Sequence, residues 1–313
     1  MKYYLTLILI LLIMGGFQPS GTIPATLVLD ARAKLGEGSI WQPLENKLYW
    51  VDIEGMALHI YDPLTKKDIH FNTGSRTSTV VPLKNGGVLI AMQNGIHKID
   101  CKTGKLTLVC NPLSDHNIRF NDGKCDPSGR FWVGTMDLSF KKGAAVLYRM
   151  DYDKSIKQVL DSVTISNGIV WTADRKTMYY IDTPTGTVEA FDYNDASGTI
   201  SNRRVAIRVP QGVGSPDGMT IDRHGNLWVA LWGGGAVACV DPLTGELLKK
   251  VIVPAPNTSS CAFGGKNLDV LYITTAREGL NAEELKKYPL SGGLFSAKTG
   301  VRGVPAFFYK GQL

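Results

Sequence analysis

The chain has 313 residues, of which 44% are hydrophobic, 20% are charged and 34 are glycine. That composition excludes a disordered, collagen-like or multi-pass membrane protein and suits a globular chain with a sizeable core. Its 34 Lys and Arg against 28 Asp and Glu give a net charge of +6, spread without a basic run that could track a phosphate backbone, so no nucleic-acid partner is expected.

At the N-terminus, Lys2 precedes the apolar run Leu5 to Met14, and Gly15, Gly16 and a polar, Pro-containing stretch follow. This is the layout of a signal peptide. Counted from Tyr3 to Phe17 the stretch is 15 residues, short of the ~20 that a spanning helix needs. Residues 1–25 are therefore expected to be a signal peptide, and residues 26–313 the mature domain. The alternative is an uncleaved N-terminal anchor, because no A-x-A cleavage site is present. The mature protein is expected to be exported, periplasmic or secreted, to lack a membrane span and to act as a monomer.

Downstream, six short apolar, aromatic-rich strands recur, each after a turn: 48–52, 88–92, 131–135, 177–182, 227–231 and 271–275. Their mean period of about 45 residues, with no long helical pattern between them, is that of four-stranded propeller blades. Turns rich in Asp and Gly or Lys follow at 62–67, 100–105, 192–198 and 241–246, where the outer hairpin of a blade reverses. The expected fold is all-β, a six-bladed β-propeller with a central metal-binding channel. Thr26 to Ala33 precede the first unit and Pro305 to Tyr309 follow the last, so the two ends are expected to share one blade and close the ring. One helix is expected, over Asn281 to Tyr288, opened by an Asn281/Glu284 capping box and stopped by Pro289.

Ten or eleven residues before the marker strands, polar residues fall into register: Glu37, Asn121, Asn167, Asp217 and Ser260. These segments are expected to be innermost strands, which surround the axis, so equivalent positions converge there. Gly follows directly at 38, 168 and 218, which lets backbones approach closely. Any one of these dipeptides taken alone reads better as a turn; recurrence at one offset favours a shared site. Two carboxylates and an amide converging in an apolar ring need a compensating cation. Oxygen ligands suit Ca²⁺, Mg²⁺ or Mn²⁺, with Zn²⁺ also possible. Arg119, two residues before Asn121 and on the same strand face, offers a planar donor to a carbonyl or sugar hydroxyl, or else braces a blade.

The remaining signals are negative. No nucleophile elbow, H-E-x-x-H, phosphate loop or dinucleotide fingerprint is present, and the five histidines, at 59, 70, 97, 116 and 224, are scattered. Asp151 to Ser162 fails as a calcium loop, because Ile156 occupies its sixth position. Cys101, Cys110, Cys125, Cys239 and Cys261 follow no metal spacing and are odd in number, so they read as buried thiols. Asn257-Thr258-Ser259 is a formal glycosylation sequon.

The segments LGEGSIW, RFNDGKCDPSGRFWVGTM, ISNGIVW, MYYIDTPTG, FDYNDASGTISNRR, PDGMTIDRHGNLWVA and SSCAFGGKNLDVLYITTAREG occur in the order in which the senescence marker protein (regucalcin), gluconolactonase and luciferin-regenerating enzyme family carries its motifs. From about Leu35 onward the chain resembles that family. The resemblance implies a six-bladed propeller with one divalent ion bound by Glu37, Asn167 and Asp217, and substrate contacts from Arg119 and Asn121. It implies hydrolysis of a sugar lactone, with Asp217 as the catalytic proton acceptor. Relatives often carry an acidic substrate contact just after GTM, where this chain has Asp137-Leu138-Ser139. The competing readings are a hydrolase of another ester or phosphoester, and a noncatalytic calcium- or sugar-binding propeller.

Overall fold

The structure is a computed structural model that describes residues 21–84 and 86–313; the apolar run of the expected signal peptide or anchor lies outside the described residues. Each marker segment forms the second strand of a sheet. Two short strands come first, β1 (Thr22–Pro24) and β2 (Thr26–Leu29). Blade 1 holds β3 (Gly36–Gln42), β4 (Lys47–Asp52), β5 (Ala57–Asp62) and β6 (Lys67–Asn72). Blade 2 holds β7 (Thr77–Pro82), β8 (Val88–Met92), β9 (Gly95–Ile99) and β10 (Leu106–Cys110). Blade 3 holds β11 (Ile118–Cys125), β12 (Phe131–Asp137), β13 (Ala145–Met150) and β14 (Ile156–Val163). Blade 4 holds β15 (Ser166–Trp171), β16 (Thr177–Asp182), β17 (Thr187–Asn194) and β18 (Thr199–Arg208). Blade 5 holds β19 (Ser215–Ile221), β20 (Leu227–Trp232), β21 (Ala236–Val240) and β22 (Leu247–Ile252). Blade 6 holds β23 (Thr258–Gly264), β24 (Val270–Thr275) and β25 (Leu294–Lys298). The expected six-bladed propeller is what these sheets build.

Ring closure differs from expectation in one of its two ends. β2 pairs antiparallel with β25, Leu27 opposite Phe295, and supplies the fourth strand of blade 6. Pro305 to Tyr309 do not join that blade. They run beneath the ring, with Val304 N donating to Ile221 O in blade 5 and Tyr309 N to Pro82 O in blade 2. Pro305 has no N–H to give a sheet ladder, so this segment is suited to cover the channel and not to extend a blade. β1 also lies upstream of the expected boundary at residue 26, as a parallel fifth strand on β22.

Aromatic side chains on the marker strands pack the spaces between blades. Trp132, Trp171 and Tyr193 meet edge-on between blades 3 and 4, Trp228 meets Phe263 between blades 5 and 6, and Trp41 stacks on Tyr272 between blades 1 and 6. Their indoles also fix turns. In blade 3 the fully buried Asp126 accepts from Gly129 N, Arg130 N, Arg130 Nε, Trp132 Nε1 and Tyr193 OH. Asp222 does the same in blade 5, with His224 N, Asn226 N and Trp228 Nε1. In these two blades an Asp six residues before a Trp thus closes the turn that delivers the inner strand to its marker strand.

The expected helix is α1 (Ala282–Lys287), and its Asn281/Glu284 capping box is formed. No helix among the described residues is long and apolar enough to cross a membrane. All five cysteines are free; Cys125, Cys239 and Cys261 are buried, whereas Cys101 and Cys110 are half-buried. Burial pushes the thiols of Cys101 and Cys110 up to about 11. Asn257 is buried and its amide donates to Glu278 O, so the sequon presents no accessible acceptor.

Candidate active site at the mouth of the channel

The inner strand of every blade slips register once against its marker strand. The slip takes in Asn121, Asn167 and Asp217 in blades 3, 4 and 5, and in blade 1 it begins directly after Glu37. A bulge bends the strand and re-aims a side chain, and here it turns these four polar groups toward the axis. In blades 2 and 6 the slip falls at Ser78 and Ser259. Ser260, which the offset placed in the set, instead pairs its hydroxyl with Ser39 Oγ at 3.0 Å and does not line the cavity.

Close approach of the inner strands needs the glycines. A Cβ on Gly168 would stand 2.8 Å from Asp217 O, and one on Gly218 would stand 2.8 Å from Ser259 O, well inside van der Waals contact. Aspartates at the ends of two marker strands hold the inner strands in place. Asp52 accepts from Lys34 N and Leu35 N, and Asp182 from Thr164 N and Ile165 N.

Glu37, Arg119, Asn121, Asn167 and Asp217 line one cavity of about 290 Å³. Met136, Phe140, Ile165 and Trp232 form its apolar wall. All five sequence-derived site residues therefore meet, and each is more than nine-tenths buried. The opposite end of the channel is lined by later residues of the same strands, such as Trp41, Lys124 and Trp171, together with Val304 to Phe307. Among the described residues that end offers about 60 Å³, against about 290 Å³ at the end that holds the five polar residues.

Within the cavity, Arg119 Nη1 donates to Asn121 Oδ1 at 2.6 Å and to Phe120 O at 2.9 Å. Asn121 Nδ2 donates to Ser166 O at 2.6 Å, across to blade 4. Asn167 Nδ2 donates to Thr183 Oγ1, which donates in turn to Pro216 O. The remaining oxygens are short of donors: Asn167 Oδ1 and Asp217 Oδ1 are buried and receive no hydrogen bond.

The electrostatics are strained in the same direction. Burial, then the nearby Asp122, push the Glu37 carboxyl up to about 8. Burial, then Glu37 and Asp122, hold Asp217 well above the usual carboxylate range, against the opposing effect of Asn167 and the Gly218 amide. Burial lowers Arg119 to about 10, with Glu54 and Glu278 opposing. Orphaned buried oxygens beside carboxylates held toward neutrality are the condition that a cation relieves. The donor atoms are all oxygen, so the residues fit a hard divalent ion.

Two acidic groups were not singled out from the sequence. Asp122 stands inside RFNDGKCDP; the bulge turns both Asn121 and Asp122 inward, where strand alternation would send one of them out. Its Oδ2 is buried without a partner, so the channel holds three carboxylates and not two. Glu278 lines the cavity mouth from the loop after β24, where no periodic pattern points to it. Asp137, by contrast, is turned into its own loop. Its Oδ1 accepts from Ser139 N and Lys141 N, and its neighbours Met136 and Phe140 face the cavity instead.

The profile of the SMP-30/Gluconolactonase/LRE-like region matches residues 35–277 of this chain. A Bacillus subtilis protein provisionally named sugar lactone lactonase YvrE is 39% identical over 290 residues, covering 92% of this chain and 99% of its own. Regucalcin of Danio rerio is 40% identical over 293 residues, covering 93% of this chain and 99% of its own. Among solved structures, a calcium-binding regucalcin from Agrobacterium tumefaciens superposes with a TM-score of 0.88 at 27% identity, covering 93% of this chain and 99% of that one. With the matched region spanning all six inner strands, and with nearly full-length relatives at this identity, the chain belongs to the SMP-30/gluconolactonase/LRE-like family.

Proposed function

We propose that this protein hydrolyses the ring ester of a small sugar lactone in the channel-mouth cavity. The observation that carries this reading is the meeting of donor-poor oxygens of Asn167 and Asp217 with the Arg119–Asn121 pair in one cavity of about 290 Å³. That volume suits one sugar ring better than a polymer. The family and the name of the Bacillus relative support the same class of reaction.

Glu37, Asn167 and Asp217 would hold one divalent ion, of which Ca²⁺, Mg²⁺, Mn²⁺ and Zn²⁺ all accept oxygen ligands. Bound there, such an ion supplies positive charge to stabilise the oxyanion that develops on the ester carbonyl. The calcium-binding description of the Agrobacterium relative supports an ion of this type.

Asp217 accepts the proton of the water that attacks the carbonyl carbon. Its carboxylate lines the cavity beside the sugar-facing Arg119 and Asn121, within which the attacking water must sit, and the proton then passes to the ring oxygen as the ester bond breaks. Arg119 spends Nη1 on Asn121 and Phe120, which leaves its other N–H groups for sugar hydroxyls. Asn121 fixes that guanidinium by bridging it to Ser166 O. Held this way, the carbonyl meets water in a reactive orientation.

The test is a panel of five- and six-membered aldonolactones, simple esters and phosphoesters, assayed with and without chelator. Expected is lactone opening well above the spontaneous rate, abolished by chelator and restored by a divalent ion. No acceleration of any lactone would overturn the reading, whether or not another ester is cleaved.

A further inference from the structure

On the rim of blade 1, three side chains that the channel does not use come together. His59 on β5 stands directly opposite His70 on β6, and Asp68 lies two residues from His70 on the same strand. One ligand atom from each of the three lies within 4.8 Å of the other two. Ligands held ~2.0–2.2 Å from a tetrahedral Zn²⁺ stand roughly 3.3–3.6 Å apart, so side-chain rotations that draw the set in by about 1 Å close it on an ion.

The set is built, not scattered. Trp50 stacks on the His59 ring at 4.0 Å between centroids and 21° between planes. Asp68 Oδ2 lies 2.6 Å from His59 Nδ1. That contact sets the carboxylate and the imidazole side by side, each with a second candidate ligand atom, Asp68 Oδ1 and His59 Nε2, that it does not use. The His70 ring lies 5.5 Å from that of His59 and is exposed. The independent observation is on Asp68. Its side chain is only 10% exposed, yet Oδ1 is buried without any hydrogen-bond partner. A brace between strands would have used that oxygen or left it in water.

We infer that His59, Asp68 and His70 form a second metal site, separate from the channel, for a borderline transition ion of the Zn²⁺ class. Two imidazoles and one carboxylate oxygen select Zn²⁺, Cu²⁺ or Ni²⁺ over Ca²⁺ and Mg²⁺, whereas the channel offers oxygen alone. Three ligands on two adjacent strands clip the outermost strand β6 to β5. The ion then stabilises the fold in proportion to its occupancy. This site does not depend on what the channel catalyses.

The test uses the full-length protein. Zn²⁺ is titrated calorimetrically with Ca²⁺ in excess. Cu²⁺ serves as a paramagnetic probe, because coupling to imidazole nitrogens appears in its resonance spectrum and an all-oxygen channel site gives none. Expected is one zinc-binding event that also raises the unfolding temperature, and nitrogen coupling to Cu²⁺. His70→Ala, at an exposed position, should weaken zinc binding at least ~10-fold, abolish the thermal increment, remove one nitrogen from the copper spectrum and leave turnover unchanged. Asp68→Asn, which keeps an acceptor for His59, should weaken zinc binding while circular dichroism reports an intact fold. Zinc affinity and copper spectrum unaltered in both variants, or no zinc bound by the wild type, would overturn the inference.

Discussion

Asn121 stands between Arg119 and the start of blade 4: its Oδ1 accepts from Arg119 Nη1 at 2.6 Å while its Nδ2 donates to Ser166 O at 2.6 Å. The guanidinium is thereby anchored across a blade boundary. Asn121→Ala should leave the ion site intact and let Arg119 swing. A misplacement of about 1 Å costs roughly 10²-fold in rate, so a loss of that order in kcat/KM is expected. Arg119→Lys should not rescue function, since an ammonium cannot present a planar fork. Steady-state kinetics on a lactone substrate, with metal affinity measured in parallel, check this; lost metal affinity in Asn121→Ala would contradict it.

Asp217 is offered as both ligand and proton acceptor, and one substitution separates the roles. Asp217→Asn keeps an oxygen on the axis but has no basic carboxylate. With saturating divalent ion, turnover should fall by ~10²–10⁴, the usual worth of general acid–base catalysis. Single-turnover lactone opening, corrected for the spontaneous reaction, decides it. Near wild-type turnover would reduce Asp217 to a ligand.

The metal-free protein should lose stability as pH rises. Glu37 titrates from its ordinary 4.5 up to about 8 in the fold, because of burial and Asp122, and Asp217 is raised in the same way. The folded state thus binds more protons than the unfolded state, so stability falls with pH. The loss begins above 4.5, where unfolded glutamate ionises, and continues through about 8. Thermal unfolding after exhaustive chelation should show a higher midpoint at pH 5 than at pH 8. A divalent ion should raise the pH 8 midpoint more than the pH 5 one, because it favours the ionised carboxylates. A metal-free midpoint that rises with pH over this window would sink the assignment of strained channel carboxylates.

Gly168→Ala tests whether the closeness of the inner strands is what assembles the site. The added Cβ would stand 2.8 Å from Asp217 O and Met219 N, both backbone atoms that cannot rotate away. Overpacking of this kind typically costs about 1–3 kcal/mol. It should also displace Asp217 and weaken the ion site, so denaturant unfolding and metal titration should both respond. Gly186→Ala, where a Cβ meets nothing within 4 Å but the φ is positive, should disturb stability alone.

Asp126→Ala should be among the most damaging single changes outside the channel. It removes the acceptor for Arg130 and Trp132 and leaves the guanidinium, itself only 4% exposed, without its carboxylate. Breaking a buried ion pair from one side costs about 3–5 kcal/mol. Equilibrium urea unfolding measures it; a change under ~1 kcal/mol would mean that Tyr193 and Asp195 compensate for the lost pair.

How much of this was legible in the chain differs from feature to feature. The marker strands at Leu48 to Asp52 and Leu227 to Leu231 announced themselves because burying aromatic residues between blades demands a strand and a turn at a fixed interval. Convergence of Glu37, Asn121, Asn167 and Asp217 was legible too, since a repeated unit around an axis brings equal offsets to one place. The capping box at Asn281 was local and came through intact.

What only the tertiary structure decided are the features that break the repeat or join distant turns of chain. The register slip at each inner strand brought Asp122 inward beside Asn121 and sent Ser260 away from the cavity; a slip of one residue changes face, and composition does not encode where it falls. Pro305 to Tyr309 crossed beneath the ring and left β2 to close it on β25. Glu278 reached the cavity from a loop with no equivalent in other blades. His59 and His70 looked scattered in the sequence, yet they lie equally far on either side of the 62–67 turn, and the hairpin sets them opposite each other. The sequence by itself determined the repeat, and with it the fold and the ring of inner polar residues, because burial and turn chemistry act locally and identically in every blade. The tertiary structure alone decided which polar groups share a cavity, which oxygens lost their donors and which imidazoles face a carboxylate, because those depend on register and on contacts between blades far apart in the chain.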